Sequence, residues 1–229
     1  MATSRRILGL VAHRVTTRAV SVGNDVTLEA DLSLPDRATG VVMFAHGSGS
    51  SRHSPRNRQV ARALQDRGLA TVLLDLLTED EERVDSRDGS YRFDIPLLAH
   101  RLSGAARWVS RQPVLGTLPL GLFGASTGAA AALIAAAGSP AVRAVVSRGG
   151  RVDLAGEALG AVRCPVLLLV GAHDEVVLRL NERALAALPR ADLVVVPGAT
   201  HLFEEPGTLE QVADHAATWF VSHLVAPAE

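Results

Sequence analysis

The sequence contains no lysine; all 23 of its basic residues are arginine. That removes a Schiff-base lysine, a lysine general base and a P-loop lysine from the available chemistry. Cysteine occurs once, at Cys164, so an internal disulfide framework cannot form. Next to Pro165 at the start of an apolar strand, this thiol reads as buried and structural. No apolar stretch reaches the roughly 20 residues that a membrane-spanning helix requires. There is no contiguous basic block either, and with a formal net charge of -1 the electrostatic footprint of a nucleic-acid binder is missing. The chain has no H-E-x-x-H, and His53, His100, His173, His215 and His223 lack metal-ligand spacing, so neither a metal nor another cofactor is expected. The partner implied is a small molecule.

Arg5, Arg6, Arg14 and Arg18 precede the first acid, Asp25, which weakly imitates a transit peptide. The apolar run from Ile7 to Ala12 is too short for a signal-peptide core, and a cytoplasmic location is expected. The 229 residues show alternating strand and helix patterns with no linker between them, which favours a single domain over 1–229, its first 12 or so residues a flexible segment.

From Arg14 to Leu34 apolar and polar residues alternate, broken at Gly23-Asn24-Asp25, as in two strands joined by a turn. After this hairpin the pattern changes to short, unbroken apolar runs: Val41 to Ala45, Ala70 to Leu76, Leu118 to Phe123, Val142 to Val146, Val166 to Val170 and Leu193 to Val196. Such runs suit a parallel sheet covered on both faces. Helical spacing between them, near Asn57 to Arg67, Ile95 to Ser110, Thr127 to Ala137, Val177 to Ala187 and Pro206 to His223, supplies the crossovers. The class is α/β, a doubly wound and mostly parallel sheet opened by an antiparallel hairpin. The acidic segment Thr78 to Asp88 reads as a solvated loop. The apolar C-terminal helix, with Trp219, Phe220, Val221 and Leu224, packs on the sheet or pairs with a second copy in a homodimer.

The strongest local signal is Gly124-Ala125-Ser126-Thr127-Gly128, directly after one apolar strand and directly before an alanine-rich helix. A serine at the apex of so tight a turn needs small neighbours two residues before and after it, which Gly124 and Gly128 supply. The turn aims the hydroxyl into the crevice at the carboxyl ends of the strands. It also sets the Thr127 N–H at a helix N-terminus, where a developing oxyanion is stabilised. Serine needs a base to take its proton. His201, in the turn-rich Pro197-Gly198-Ala199-Thr200-His201 after the last strand, would emerge at the same edge. The orienting acid belongs after the preceding strand, where Gly171-Ala172-His173-Asp174-Glu175 offers Asp174 and, as a distant second choice, Glu175. The order Ser126, Asp174, His201 is that of the α/β-hydrolase triad.

The second oxyanion donor is expected from the loop His46-Gly47-Ser48-Gly49-Ser50-Ser51, as the N–H of Ser48 or, as second choice, Gly49. His46 reads as a loop-shaping hydrogen-bond partner. Gly49 and Arg148 are the candidate substrate contacts; Arg148, in Arg148-Gly149-Gly150-Arg151, grips a substrate carboxylate or joins a surface salt bridge. Arg52, Arg56, Tyr91 and Arg92 fall on loops at the same end of the sheet.

In these residues the sequence resembles the α/β-hydrolase superfamily, and particularly its short dienelactone-hydrolase-like branch, over roughly Val26 to His223. The resemblance implies eight strands, flanking helices and acyl-enzyme chemistry on carboxylic esters or thioesters, with lactonase and acyltransferase activity as alternatives. A non-catalytic ligand-binding module is the reading from another class. True dienelactone hydrolases carry a cysteine nucleophile where this chain has Ser126. Many relatives insert a helical lid after the sixth strand; here only Ser147 to Arg163 separates that strand from the next, so an open site is expected.

Overall fold

Strands β1 (Val15–Gly23) and β2 (Val26–Ser33) pair antiparallel, from Val15 opposite Ser33 to Gly23 opposite Val26. The computed structural model describes residues 14–23 and 25–225, so the expected flexible segment over residues 1–12 lies outside the described residues. The chain continues through β3 (Gly40–Ala45), α1 (Pro55–Asp66), β4 (Leu69–Leu74), α2 (Glu79–Asp88), α3 (Ile95–Ser110) and β5 (Leu120–Ala125). It ends with α4 (Thr127–Ala137), β6 (Val142–Arg148), β7 (Val166–Gly171), α5 (Glu175–Leu185), β8 (Ala191–Val196) and α6 (Thr208–Leu224). Eight strands form one sheet in the order β1-β2-β4-β3-β5-β6-β7-β8. The hairpin meets β4 antiparallel, and every pairing from β4 to β8 is parallel.

All residues of β3, β4, β5 and β7 are buried. A strand covered on both faces loses water from every side chain, which is why these segments read as apolar runs instead of alternating ones. Helices α1 and α6 pack on one face with Phe44, Phe123 and Phe203. Helices α3 and α4 pack on the other. Phe220 and Leu224 of α6 lie against Gly121 and Gly40, so the sheet accounts for that helix's apolar stripe. Cys164 is half-buried instead of fully enclosed, and burial pushes its thiol pKa up.

The acidic segment is the main departure from expectation: it is helix α2, not a loop. Thr78 and Glu81 form a reciprocal capping box, and four acids sit in the first turn, where the helix dipole favours negative charge. Gly89 closes the helix at φ 68°. Two of the charges face inward to arginines: Asp85, 1% exposed, pairs with Arg92 at 2.7 Å, and Glu81 binds the Arg101 guanidinium. Periodicity counted in apolar residues misses a helix docked by buried ion pairs. No helix among the described residues is long and apolar enough to cross a membrane.

Candidate active site

Ser126 stands between β5 and α4 with φ 50° and ψ -120°, a conformation that L side chains rarely adopt. The elbow is clamped from β6. The Ser126 N–H donates to the Arg148 carbonyl at 3.1 Å, and the Ser126 carbonyl accepts from the N–H groups of Ala129 at 3.1 Å and Arg151 at 3.0 Å. The two motif glycines sit where a side chain has no room. A Cβ at Gly124 would lie 2.7 Å from the Ala129 nitrogen, and one at Gly128 would lie 2.7 Å from the Ala45 carbonyl carbon. The space they leave free lets α4 approach the end of β3, which brings the loop from His46 to Ser51 beside the serine. A Cβ at Gly47 would be 3.0 Å from Ser126 Cβ.

The loops after β7 and β8 are laced together. The N–H of Ala172 donates to Val196 O at 3.0 Å, and that of His173 to Ala199 O at 2.9 Å. This lacing brings the expected acid and base into contact, with His201 Nδ1 2.6 Å from Asp174 Oδ2. Thr200 holds the histidine turn through its hydroxyl, which donates to Glu205 Oε1 at 2.6 Å. Gly149, at φ 53°, lies against the imidazole; a Cβ there would be 3.4 Å from His201 Nδ1. Ser126 and His201 therefore flank the same short segment, Arg148 to Arg151. Among the described residues no hydrogen bond joins Ser126 Oγ to the imidazole. Such contacts commonly close only when substrate is bound.

The expected oxyanion donors are the N–H groups of Thr127, first residue of α4, and exposed Ser48; neither has a partner among the described residues. Gly49 and Ser50 line a groove of about 900 Å³ running between the hairpin and α2, past Asp75, Thr78, Glu82 and Arg83. Ser126 and His201 do not line it. Among the described residues, no group of three or more His, Cys, Asp or Glu could hold a metal ion. The segment between β6 and β7 holds short helical turns over Val152–Ala161, with no large lid.

With this geometry the comparisons with known proteins agree. The model of the dienelactone hydrolase family matches residues 28–222. The chain belongs to this family. A crystal structure of a dienelactone hydrolase from Anabaena variabilis is 54% identical, covers 93% of this chain and 99% of its own, and superposes with a TM-score of 0.91. Est1E from Butyrivibrio proteoclasticus shares the fold at a TM-score of 0.75 and 15% identity, over 90% of this chain and 98% of its own. Two Mycobacterium tuberculosis proteins provisionally named phosphoribosyl transferases are 57% identical over 208 residues, 90% of this chain. The chain spans about half the length of these curated relatives, 46%.

In this dienelactone hydrolase family member, His46 ties the loop from His46 to Ser51 to the segment just after β4. Its Nδ1 donates to the Gly47 carbonyl at 2.9 Å and its Nε2 accepts the Leu76 N–H at 3.1 Å, which fixes a neutral ring and draws the Leu76 backbone away from β4. That explains why β4 stops at Leu74 although the apolar run reaches Leu76. Burial pushes the His46 pKa below its ordinary value of 6.5, because a charged ring would be desolvated and would lose the acceptor that Leu76 needs. The unfolded chain therefore binds a proton near pH 6.5 that the folded protein refuses. Stability is complete above that pH and falls as pH drops below it, by up to about 1.4 kcal/mol per pH unit. His46→Leu should flatten the dependence of Tm on pH between 5 and 7 relative to wild type; equal slopes would assign the acid lability to other groups.

The remaining arginines divide by partner. Arg52 binds Asp75 and also Glu29 at 2.6 Å, fastening the loop before α1 to the hairpin. Arg151 pairs with Asp153 at 2.8 Å, and Arg92 with Asp85. Arg148 is in no ion pair among the described residues, so the alternative of a surface salt bridge does not hold for it; it is buried at 8% exposure. Sequence reasoning missed Asn181, fully buried on α5, whose Nδ2 donates to Gly150 O at 2.9 Å and so holds the segment between serine and histidine. Its only signal is a lone amide on an otherwise apolar stripe.

Proposed function

We propose that this hydrolase cleaves small to medium carboxylic esters or thioesters through an acyl-enzyme on Ser126. The observation that carries the reading is the strained serine elbow facing a hydrogen-bonded Asp174–His201 pair across one four-residue segment. A backbone held at φ 50° stores strain that a plain turn would relieve with glycine, and strain of this kind collects where a side chain must be presented. The imidazole, with its Nδ1–H directed at the Asp174 carboxylate, leaves Nε2 free as a proton acceptor.

In the proposed cycle, Ser126 Oγ attacks the acyl carbon as its proton passes to His201 Nε2. The tetrahedral oxyanion sits between the N–H groups of Thr127 and Ser48, and the protonated imidazole then hands its proton to the leaving alcohol or thiol. Water, deprotonated by the same nitrogen, attacks the acyl-enzyme, releases the acid and restores Ser126. The absence of a large lid suits substrates that enter directly from solvent. Cytoplasmic action and the choice between monomer and homodimer are part of the same proposal. The transferase in the name of the two relatives belongs to proteins about twice as long as this chain and is not carried over.

The test is to measure initial rates on p-nitrophenyl acetate, butyrate and octanoate, with mass spectrometry after fluorophosphonate treatment. Turnover together with a single covalent adduct on Ser126 is expected. A protein with neither would stand instead as a binding module of hydrolase fold. Product analysis with added alcohol separates hydrolysis from acyl transfer, and a lactone panel tests for lactonase action.

A further inference from the structure

Asn181 lies about two turns along α5 from Asp174, the residue at that helix's N-cap, and shares the buried face of the helix with Val177 and Ala184. An amide with no exposure on an apolar stripe calls for a reason. Its Nδ2 donates to the Val177 carbonyl at 2.8 Å, on its own helix, and to the Gly150 carbonyl at 2.9 Å, on the segment after β6. Two carbonyls at one end of the side chain identify that end as the NH2. The other end, Oδ1, is buried with no partner among the described residues. Packing alone does not select a residue that strands a buried acceptor, and the Val177 carbonyl already stands within a helix. What asparagine adds is a donor for Gly150.

The peptide group that receives this donor also grips Ser126. While the Gly150 carbonyl accepts from Asn181, the N–H of the same peptide unit, that of Arg151, donates to the Ser126 carbonyl at 3.0 Å. A peptide unit is planar, so fixing the direction of its carbonyl fixes the direction of its N–H. The segment cannot slide instead. A Cβ at Gly150 would lie 2.0 Å from Ser147 Oγ and 2.7 Å from Ala129 Cβ, so the chain is pressed onto β6 and α4 there, and the Gly149 N–H donates to Leu169 O at 2.8 Å. The motion left to the Gly150–Arg151 peptide is rotation, and the Asn181 amide removes it. Ser126 depends on that, because its φ of 50° and ψ of -120° are held through its carbonyl by the Arg151 and Ala129 N–H groups.

We propose that Asn181 is a positioning residue for ester cleavage: through the Gly150–Arg151 peptide it holds the strained backbone of Ser126 and keeps the hydroxyl in register with His201. This rests on the serine-hydrolase reading above. The same helix carries Asp174 at its N-cap, and Asp174 orients His201, so one buried amide joins the helix of the acid to the elbow of the nucleophile without touching substrate. When the donor is lost, the peptide turns, the Arg151 N–H leaves the Ser126 carbonyl, and the serine relaxes to a conformation that withdraws its Oγ from the imidazole.

The test is Asn181→Leu, which keeps the branching of the side chain and removes the donor. Turnover of p-nitrophenyl butyrate is measured per active site, counted by fluorophosphonate labelling carried to completion, so that unfolded protein does not enter the rate. The expected result is a kcat lower by roughly 10- to 100-fold with KM within about twofold of wild type, the pattern of a displaced reacting group beside intact substrate binding. A packing role alone would lower the Tm and the number of active sites and leave kcat per site unchanged, and that result overturns the proposal. If Asn181→Leu does not fold, Asn181→Ala, which only removes atoms, is read in the same way. A second readout needs no substrate. Ser126→Gly relieves the elbow and should melt above Ser126→Ala; with Asn181→Leu also present, where the elbow has already relaxed, that difference is expected to shrink to about half or less. An equal difference in both backgrounds overturns the proposal. If the wild type neither hydrolyses the ester nor takes the label, the hydrolase reading has failed, and the Tm comparison decides by itself whether Asn181 holds the Ser126 backbone.

Discussion

Ser126→Ala is expected to lower ester turnover by about 10⁶-fold, to the residual rate that binding and oxyanion donors alone provide, and to abolish the fluorophosphonate adduct. Loss of the hydroxyl removes the proposed attacking atom and leaves the elbow in place, since its three backbone hydrogen bonds to Arg148, Ala129 and Arg151 do not involve the side chain. Ser126→Gly should be equally inactive and differ in stability. At φ 50° and ψ -120° a Cβ crowds the backbone, and alanine keeps that atom where glycine drops it. The strain released is about 1–3 kcal/mol, part of it offset by the greater freedom of glycine in the unfolded chain. A Tm for Ser126→Gly a few degrees above that of Ser126→Ala is the expected result. Equal Tm values would mean that the conformation is not strained and would weaken the argument from the elbow. Residual turnover of Ser126→Ala within tenfold of wild type would place the nucleophile elsewhere.

The second large effect is on folding. Gly128→Ala adds one carbon 2.7 Å from the Ala45 carbonyl carbon and nearer still to the carbonyl oxygens of Ala45 and His46. Those atoms belong to the buried end of β3 and the start of the loop from His46 to Ser51, which is held by both ring nitrogens of His46. Neither side can retreat as a flexible side chain would, because α4 is fixed to the sheet by buried Ala129, Ala130, Ala131 and Ala132. A loss above about 4 kcal/mol, enough to leave a domain of ordinary stability largely unfolded, is expected for Gly128→Ala. Gly138→Ala, whose added carbon would meet nothing closer than 3.7 Å, should change little and serves as the control. Soluble Gly128→Ala protein with near-native Tm would show that α4 can shift, and that the glycine serves the site and not the packing.

Much of this protein was legible in its sequence. The boundaries of α3 and α4 follow directly from apolar spacing, and the serine elbow was placed by its strand-glycine-helix context, because those features depend on neighbours within a few residues. The positions of β3, β4, β5 and β7 were visible for a related reason: burial on both faces writes itself as an uninterrupted apolar run. Their places on the turns after the last two apolar runs, together with chain order, suggested Asp174 and His201 as partners.

Only the tertiary structure decided matters that turn on pairing across the chain. Helix α2 depends on Arg92 and Arg101, which are remote enough in sequence that its charges looked solvated. The early end of β4 depends on His46, 30 residues away. The contact between His201 and Asp174 spans 27 residues and exists because the loop after β7 donates backbone hydrogen bonds to the end of β8 and the loop that follows it. That Arg148 is buried and in no ion pair among the described residues could not be read from Arg148-Gly149-Gly150-Arg151, where the second arginine finds Asp153 two residues on. Local chemistry fixes what a residue can do, and it is visible in composition and spacing. Whether a charge is answered is a property of the space around it, and that space is assembled from segments that the sequence keeps far apart.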